Sequence, residues 1–514
     1  ASIGNTTSFE WAKKLGGSGN SLCISKNIAI DKTGNIYTVG NFDNDSVDFD
    51  PGFATYFKKN SGNCSDGFIT KFDSNGNFLW VKFLEGSSGC ISPLKIKLDD
   101  NENLYISGYF GGSLASTVDF NPDAMAVNTL TSPFGFKTTF LLKLDENGVF
   151  VWVKKLIGTL DVIVRDFHID HFGNLYTVGR FDGIADFNPD NIISQNYNSN
   201  GNSDFFISKL DSSGNYIWAK TFGGTDFEDQ ISICSDKAGN IYMVGDFKET
   251  VDFDPDTAST LFLSTGGPIR HGFFMKMDSG GNFIWANHFN GSAVPESLTI
   301  DSNGNIFIIG TLNGSIDFNF GSSTNVLSST NGGMFFVSKY DTNGNYLFAK
   351  AFGGPFGSGY LRTIICDNNN NVYLNGEFFG TTDFDPSLSK TLNYTSYGQA
   401  DNFMLKLNTQ GKFIWVKRFG NTNIDLSENI LVDKEGNLYS VGSYKGTVDY
   451  DPENSIYFLS SSSSFHSSYI LKLNQSIVHE DTVCPSYTSA SGKIWNRTGS
   501  YYDTLVNIWG YDSI

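Results

Sequence analysis

One ten-residue pattern recurs seven times along the chain and limits what the chain can fold into. The first copy reads Asp31-Lys-Thr-Gly-Asn-Ile-Tyr-Thr-Val-Gly40. Successive copies lie 68, 71, 66, 65, 66 and 66 residues apart. Such a constant period is typical of a repeat architecture. The other copies begin at Asp99, Asp170, Asp236, Asp301, Asp367 and Asp433.

A second motif alternates with the first, and residues 68–83 (FITKFDSNGNFLWVKF) are its first copy. Its lysine recurs in every period, and its tryptophan recurs in most, with Phe348 substituting once. Apolar and polar residues alternate around each Asp-x-x-Gly-Asn turn, which predicts a β-hairpin. Each period therefore predicts four antiparallel strands. In the second copy these are residues 94–98, 104–110, 140–144 and 150–155.

The two ends of the array complement each other. The seventh copy contains residues 469–474 (YILKLN) but lacks the turn and the tryptophan strand that follow elsewhere. That strand is present at the N-terminus as residues 9–17 (FEWAKKLGG). The sequence thus predicts an all-β, seven-bladed β-propeller of four-stranded antiparallel blades, in which residues 9–15 complete the last blade. The predicted domains are the propeller, 1–475, and a linker with a partial C-terminal β module, 476–514.

The most regular polar feature is the segment Asp-Phe-Asp-Pro, which every period contains with at most two substitutions: Asn for the second Asp in three copies, Phe for Pro at position 320 and Tyr for Phe at position 450. Alternation along a strand places its two oxygen-bearing side chains on one side and the aromatic ring on the other. Paired hard oxygens suit Ca²⁺, whereas the commoner use of such aspartates is to cap turns by accepting backbone N–H bonds. The candidate Ca²⁺ ligands are Asp48, Asp50, Asp252, Asp254, Asp383, Asp385, Asp449 and Asp451.

No catalytic or cofactor-binding residue is predicted. His168 and His171 are close in sequence but have no third ligand nearby, which argues against a metal site. The chain contains no nucleophile-elbow motif and no Walker loop. Acidic residues that occur in every repeat are expected to serve the repeat rather than one reaction, so the sequence predicts a protein that is not an enzyme.

The charge of the chain excludes some classes of partner, and its cysteines allow a disulfide. The formal net charge is −19, which argues against binding to nucleic acid or an anionic membrane. No apolar run is long enough for a transmembrane helix, and the N-terminus is not a signal peptide. Of the six cysteines, Cys23, Cys64 and Cys90 are predicted to lie in loops, where one disulfide can form among them. Cys234 and Cys366 are predicted to be buried thiols.

The repeated Asp-x-x-Gly-Asn-x-Tyr and Phe-x-x-Lys-x-Asp-x-x-Gly-Asn-x-x-Trp segments resemble the seven-bladed β-propeller repeat, called SBBP, of bacterial surface and secreted proteins. The resemblance covers residues 9–475, and its Asp-Phe-Asp-Pro version is similar to Bacteroidetes members. Residues 484–514 resemble a β module of proteins exported by type IX secretion, although Tyr511 stands where that module usually has the second cysteine of a disulfide with Cys484. The chain is accordingly expected to be a fragment of a longer exported protein.

The leading hypothesis is a non-enzymatic extracellular binding or structural module of a larger surface or secreted protein, such as an adhesin. Its expected partners are other surface proteins or glycans and the type IX machinery, with no membrane insertion. The alternatives are a carbohydrate-active enzyme, indicated by non-repeating acids at one channel mouth, and a lectin-like module with equivalent sugar pockets. Four tripeptides match a short bacterial O-glycosylation signal, beginning at Asp45, Asp256, Asp481 and Asp503.

Overall fold

A computed structural model describes most of the propeller and four short strands of the tail. Among the described residues no helix is long and apolar enough to cross a membrane. The described residues are 3–17, 21–43, 46–60, 64–86, 89–112, 115–123, 126–133, 135–190, 193–226, 228, 231–256, 258–329, 333–354, 356–387, 389–453, 455–461, 465–479, 487–488, 494–495, 505–506 and 512–513.

Seven antiparallel blades of four strands follow one another in the described chain, which confirms the seven-bladed β-propeller. The first strand of each blade contacts the first strands of both neighbouring blades, so these seven strands surround a central channel. From the channel outwards, the strands of blades one to seven are Leu22–Ile30, Ile36–Asp43, Asp66–Phe72 and Phe78–Gly86; Cys90–Leu98, Leu104–Gly111, Lys137–Leu144 and Phe150–Gly158; Val162–Ile169, Leu175–Phe181, Asp204–Leu210 and Tyr216–Phe222; Ile231–Ser235, Ile241–Phe247, His271–Met277 and Phe283–His288; Ser292–Ile300, Ile306–Asn313, Met334–Tyr340 and Tyr346–Phe352; Phe356–Cys366, Val372–Asp383, Asp401–Leu407 and Phe413–Phe419; Leu426–Val432, Leu438–Tyr444, Ser467–His479 and Ile3–Leu15.

The N-terminal strand closes the ring, as predicted. Ile3–Leu15 pairs antiparallel with Ser467–His479, with Ile3 opposite His479 and Leu15 opposite Ser468. The last strand runs four residues past position 475. In the tail, Tyr487–Thr488 pairs with Ile494–Trp495, and Leu505–Val506 pairs with Asp512–Ser513. Some predictions fall wholly or partly outside the described residues. They are those for Cys484 and Tyr511 and for the tripeptides at Asp45, Asp256, Asp481 and Asp503.

The repeated aspartate, tyrosine and lysine form one connected group, which blade one illustrates. Asp31 accepts hydrogen bonds from the backbone and side chain of Asn35, both at 2.8 Å, and from the Tyr37 hydroxyl at 3.2 Å. The Lys71 ammonium lies 4.8 Å from the centre of the Tyr37 ring and donates to the Glu146 carbonyl of blade two at 3.2 Å. The motif therefore both fixes a turn and links one blade to the next.

The repeated tryptophan packs against a glycine of the following blade. Gly148 has a φ of +77°, and a Cβ built there would lie 3.1 Å from the Trp80 ring. A side chain at this turn would be strained and would displace the indole. Lys82, two residues further along, pairs with Asp123 at 3.0 Å. The same ring-on-glycine contact joins Trp11 to Gly76, Trp152 to Gly214, Trp218 to Gly281, Trp285 to Gly344 and Phe348 to Gly411.

The lysine contact to the next blade is missing at the closure. Lys406 of blade six is fully buried and its ammonium has no hydrogen-bond partner among the described residues, although Asp367 lies 3.8 Å away. Its expected acceptor is the turn after the third strand of blade seven, and the chain has no such turn because the fourth strand comes from the N-terminus. Burial lowers the pKa of Lys406 to about 8.

Each blade also carries a short hairpin after its second strand, in addition to the four strands predicted for each period. The aromatic residue of each Asp-Phe-Asp segment is buried at the base of the hairpin, as with Phe49 and Phe384. Two hairpins pair with the outer strand of the preceding blade, through Val118 opposite Gly86 and Asp186 opposite Ile157. The paired segments are Val47–Asp48 with Phe57–Lys58, Ser116–Asp119 with Thr129–Ser132, Ile184–Asp186 with Asn196–Asn198, Thr250–Asp252 with Phe262–Ser264, Ser315–Asp317 with Val326–Ser328, 381–383 with Asn393–Thr395, and Thr447–Asp449 with Phe458–Ser460.

The structure shows which of the three predicted loop cysteines form a disulfide, and it corrects the predicted location of Cys23. Cys64 and Cys90 form a disulfide that joins blade one to blade two. Cys23 is not in a loop, because it lies buried and free in the first strand of blade one. Cys234 is a buried free thiol, and Cys366 is a partly buried one.

Removing the disulfide is expected to destabilise the propeller by about 3 kcal/mol, because it closes a segment of 26 residues in the unfolded chain. The measurement is the urea midpoint of the Cys64→Ser/Cys90→Ser double variant. A reductant should lower the midpoint of the parent chain and leave that of the double variant unchanged. Equal midpoints for the oxidised parent and the variant would contradict the prediction.

Candidate functional site in the central channel

A ring of β-bulges surrounds the channel. In six of the seven first strands the ladder shifts register at one residue, which lies five positions before the repeated aspartate. A bulge leaves its extra residue out of the ladder and re-aims its side chain. In blade four, Ile231 occupies the same position. Together the seven residues line a cavity of about 1090 Å³. They are Lys26, Leu94, Arg165, Ile231, Glu296, Arg362 and Glu428. We call them the bulge ring.

The bulge ring departs from the repeat in its chemistry. Five of its seven members are charged, and neighbouring blades carry different residue types. The aspartate of the turn that follows, by contrast, is the same in all seven blades. The residue type at the bulge position varies between blades, although the residues around it recur. Because this position faces a cavity, its side chain is not constrained by packing within the blade. The bulge ring is therefore the part of the described propeller best placed to recognise a ligand.

A polar ring lies one residue further along the same strands. Its side chains connect adjacent blades: the Asn27 amide oxygen accepts from the Ile96 backbone at 3.1 Å, and the Ser232 hydroxyl donates to Asp166 at 2.8 Å. These bonds hold the edges of the inner strands at a fixed spacing, so the bulge ring rests on a rigid support. The members of the polar ring are Asn27, Lys95, Asp166, Ser232, Ser297, Thr363 and Asn429.

Acidic groups gather on the side of the channel formed by blades five to seven. Arg362 contacts both carboxylate oxygens of Glu377 at 3.2 Å, and Glu428 pairs with Lys26 at 2.7 Å. Burial raises the pKa of Glu296 to about 8 and that of Glu377 to about 7, although Arg362 opposes both shifts. One carboxylate oxygen of Glu296 has no hydrogen-bond partner in the described residues. Glu296 is thus a channel acid that holds its proton at neutral pH.

Basic groups gather on the opposite side, in blades two and three. Lys97 pairs with Asp166 at 3.4 Å and also donates to the Phe167 carbonyl. Lys95 stands at the polar ring of the same blade. His168 shares a hydrogen bond of 2.7 Å with Ser235, and burial lowers its pKa to about 4, so its ring is neutral. The channel wall is therefore more basic near blade two and more acidic near blade five.

Stability is expected to fall as the pH rises from 4.5 to 8, because Glu296 and Glu377 bind protons more tightly in the folded chain than in the unfolded one. Their stabilising contribution is complete below pH 4.5 and is lost as the pH passes their folded values. Each pH unit between the folded and unfolded pKa is worth about 1.4 kcal/mol. Urea denaturation at several pH values should show a shallower decline for Glu296→Gln, while the exposed Glu435→Gln control keeps the parent slope. A parent slope in Glu296→Gln would contradict this prediction.

The Asp-Phe-Asp-Pro carboxylates lie away from the channel and hold the small hairpins together. Asp48 accepts from the backbone of Asp50 at 3.1 Å and of Tyr56 at 2.8 Å, and Asp50 accepts from Gly52 at 2.8 Å. This is the geometry of turn capping. No group of three or more potential metal ligands occurs among the described residues, and Ca²⁺ binding by these pairs stays a prediction. The same bonds recur at Asp252, Asp254, Asp383, Asp385, Asp449 and Asp451.

The architecture agrees with a match at the level of sequence. Residues 10–44 match the SBBP family of beta-propeller repeats. The chain is a β-propeller repeat protein. This propeller is also 24% identical over 512 residues to an uncharacterized WD repeat-containing protein of Acanthamoeba polyphaga mimivirus, a match that covers 86% of this chain. It spans 36% of that relative's length.

Solved structures of low identity also resemble this β-propeller repeat protein. The Dos1 propeller covers 91% of this chain and 95% of its own, at 9% identity and a TM-score of 0.38. A protein of unknown function from Bacteroides caccae covers 68% of this chain and 89% of its own, at 10% identity and a TM-score of 0.31. A member of the DUF4221 family from Bacteroides vulgatus covers 77% and 98%, at 12% identity and a TM-score of 0.30.

Proposed function

We propose that this propeller is a non-enzymatic binding module of a larger exported cell-surface or secreted protein and that its ligand binds in the central channel. The observation that carries the proposal is the bulge ring, whose charged side chains vary between blades that otherwise repeat the same contacts. Export is supported by the Cys64–Cys90 disulfide, since such bonds persist in oxidising compartments. Its partners are then other surface proteins or glycans, with the type IX machinery delivering the full-length protein.

The charges of the channel indicate the chemistry of the ligand. Glu296 in blade five presents an oxygen for which the described residues supply no hydrogen-bond partner, and Lys95 lies three blades away around the ring. A ligand that carries a neutral hydrogen-bonding group, such as a hydroxyl or an amide, at one end and an anionic or acceptor group at the other would complement both. Polar groups placed in a concave site fix the orientation of a ligand in this way.

Screening the propeller on an array of glycans and peptides tests the channel as the binding site. Any compound that the parent chain retains should bind at least tenfold more weakly to Glu296→Gln and to Lys95→Met. The exposed Lys434→Met variant is the matched control and should keep parent affinity. Equal binding by all four proteins would place the ligand elsewhere. Fractionation of the native full-length protein tests export, and a cytoplasmic species would contradict it.

A second candidate function, hydrolysis of a carbohydrate, is favoured by two non-repeating acids, Glu296 and Glu428, that line one side of the channel. Glu296 retains a proton at neutral pH and could act as a general acid, while Glu428 forms an ion pair of 2.7 Å with Lys26. Turnover of aryl glycosides that disappears in both Glu296→Gln and Glu428→Gln would establish this activity. The absence of turnover at high protein concentration would favour the binding module.

A further inference from the structure

Two buried carboxylates lie side by side where blade six passes into blade seven. Asp401 begins the third strand of blade six and Asp425 directly precedes the first strand of blade seven, and both are 0% exposed. A parallel bridge joins Ala400 to Ile424, and the Asp425 backbone donates to the Ala400 carbonyl at 3.0 Å. Because each aspartate follows a bridged residue, the two side chains are neighbours on the same face.

Each of these carboxylates has one oxygen with a hydrogen-bond donor and one without. Asp401 Oδ2 accepts from the Tyr397 backbone at 2.9 Å, and Asp425 Oδ2 accepts from the Asn421 backbone at 2.8 Å. Within the described part of the chain, the two Oδ1 atoms have no hydrogen-bond partner, and neither has the buried hydroxyl of Tyr444. Ser443 lies opposite Leu426 in the antiparallel ladder. The next residue along, Tyr444, therefore lies opposite Asp425. Buried polar atoms are normally satisfied, so three such oxygens at one junction point to a ligand.

The charge at this junction is only partly balanced. Arg418 lies 3.9 Å from Asp401 Oδ2, but its guanidinium also donates to the Thr395 carbonyl and stacks 3.6 Å from the Tyr397 ring centre. In the described residues no ion pair joins Asp425 to a basic side chain. Burial raises the pKa of Asp425 to about 7 and that of Asp401 to about 6. A buried carboxylate is costly unless a cation or a proton compensates it.

The same arrangement recurs between blades three and four. Asp204 and Glu228 are buried at the equivalent positions, and Glu228 and Ser203 exchange hydrogen bonds of 2.8 and 3.1 Å. Among the residues that the structure describes, Asp204 Oδ1 and both carboxylate oxygens of Glu228 again have no hydrogen-bond partner. Between blades one and two, the corresponding loops are joined instead by the Cys64–Cys90 disulfide. Three junctions therefore carry groups suited to fastening adjacent blades.

We infer that Asp401 and Asp425 bind a Ca²⁺ ion that fastens blade six to blade seven, and that Asp204 and Glu228 bind a second ion in the same way. Hard carboxylate oxygens favour Ca²⁺ over softer metals. Ca²⁺ takes about six to eight oxygen ligands, so backbone carbonyls of the loops or water must complete each site. These residues are distinct from the Asp-Phe-Asp-Pro pairs, whose oxygens already accept backbone N–H bonds.

The inference can be tested by titrating Ca²⁺ into the chelator-treated chain. Calorimetry measures the binding, and the luminescence of Tb³⁺ sensitised by tyrosine provides a second readout. The parent chain should bind two ions. Asp425→Asn and Glu228→Gln should each lose one, and the double variant should lose both. The control is Asp451→Asn in the blade-seven hairpin, which should keep parent binding. Chelation should lower the melting temperature of the parent but not of the double variant, which keeps the test independent of how stable the variants are.

Two results would overturn the inference. One is the absence of Ca²⁺ binding by the folded parent chain at millimolar concentration. The other is unchanged stoichiometry in Asp425→Asn, which would place any bound ion elsewhere, with the Asp-Phe-Asp-Pro pairs as the next sites to examine through Asp451→Asn. Neither result bears on the channel, because the ligand screen depends on Glu296 and Lys95.

Discussion

A chain that lacks residues 1–16 is expected to lose the folded propeller at 37 °C. The deletion removes the outermost strand of blade seven, including the buried Trp11, Ala12 and Leu15, and the ion pair of 2.9 Å between Glu10 and Lys472. It also leaves Ser467–His479 as a long unpaired edge. Burying a large apolar side chain contributes about 1.5–3 kcal/mol. With the ladder bonds, the loss approaches the 5–15 kcal/mol that stabilises a typical domain.

Circular dichroism and gel filtration would measure this loss. Addition of a synthetic peptide of residues 3–16 should restore a monomeric, cooperatively unfolding species, whereas a scrambled peptide of equal composition should not. A truncated chain that remains monomeric with the parent midpoint would show that blade seven does not need its fourth strand, and would remove the physical basis for the closure.

Replacement of Asp301 by alanine is expected to cost about 3–5 kcal/mol, as for a buried ion pair that loses one partner. Asp301 accepts backbone bonds from Asn303 and Asn305 at 3.0 and 2.8 Å and pairs with the buried Lys339 at 2.9 Å. The variant leaves that ammonium and those amides without their acceptor.

The chain supplies a matched control in the next turn of the same blade. Asp341 accepts the same two backbone bonds, from Asn343 and Asn345, but is paired with no lysine in the described structure. Asp341→Ala should therefore cost only about 1–2 kcal/mol, as for a lost turn cap. Equal midpoints for the two variants in urea denaturation would mean that the lysine adds nothing, and that the repeated aspartate acts only through its turn.

The fold could be predicted because its determinants recur. Asp31, Tyr37, Lys71 and Trp80 each make a contact that recurs in most blades, so these residue types recur at a fixed period in the sequence. The closure followed from one displaced strand, residues 9–17. The small hairpins could not be predicted, because strands such as Phe57–Lys58 are too short to show alternation. Cys23 was misplaced because the strand that contains it begins directly after a glycine-rich link.

The candidate site escaped prediction for the opposite reason. A repeat pattern points to residues that recur, such as the Asp48 and Asp50 pair, whereas Glu296 and Arg362 occupy a position whose residue type changes from blade to blade. One signal was present in the sequence: five residues before each repeated aspartate, the residue type varies and is often charged. A β-bulge turns this position toward the channel, and the bulge depends on the register of the strand pairing. The hydrophobic pattern of a single sequence does not reveal that register.

The closure also determines how the propeller responds to tension. Ile3 and His479 lie opposite each other, so both ends of the closing pair leave the blade at the same place. A force that pulls these two residues apart would load the pair one rung at a time, in the manner of a zipper, rather than all rungs together in shear. The seam would open from that end toward Leu15 and Ser468, where residue 16 forms a bridge with Asp48 of the first hairpin. Tension between Ile3 and His479 would therefore open the propeller along its mechanically weakest direction.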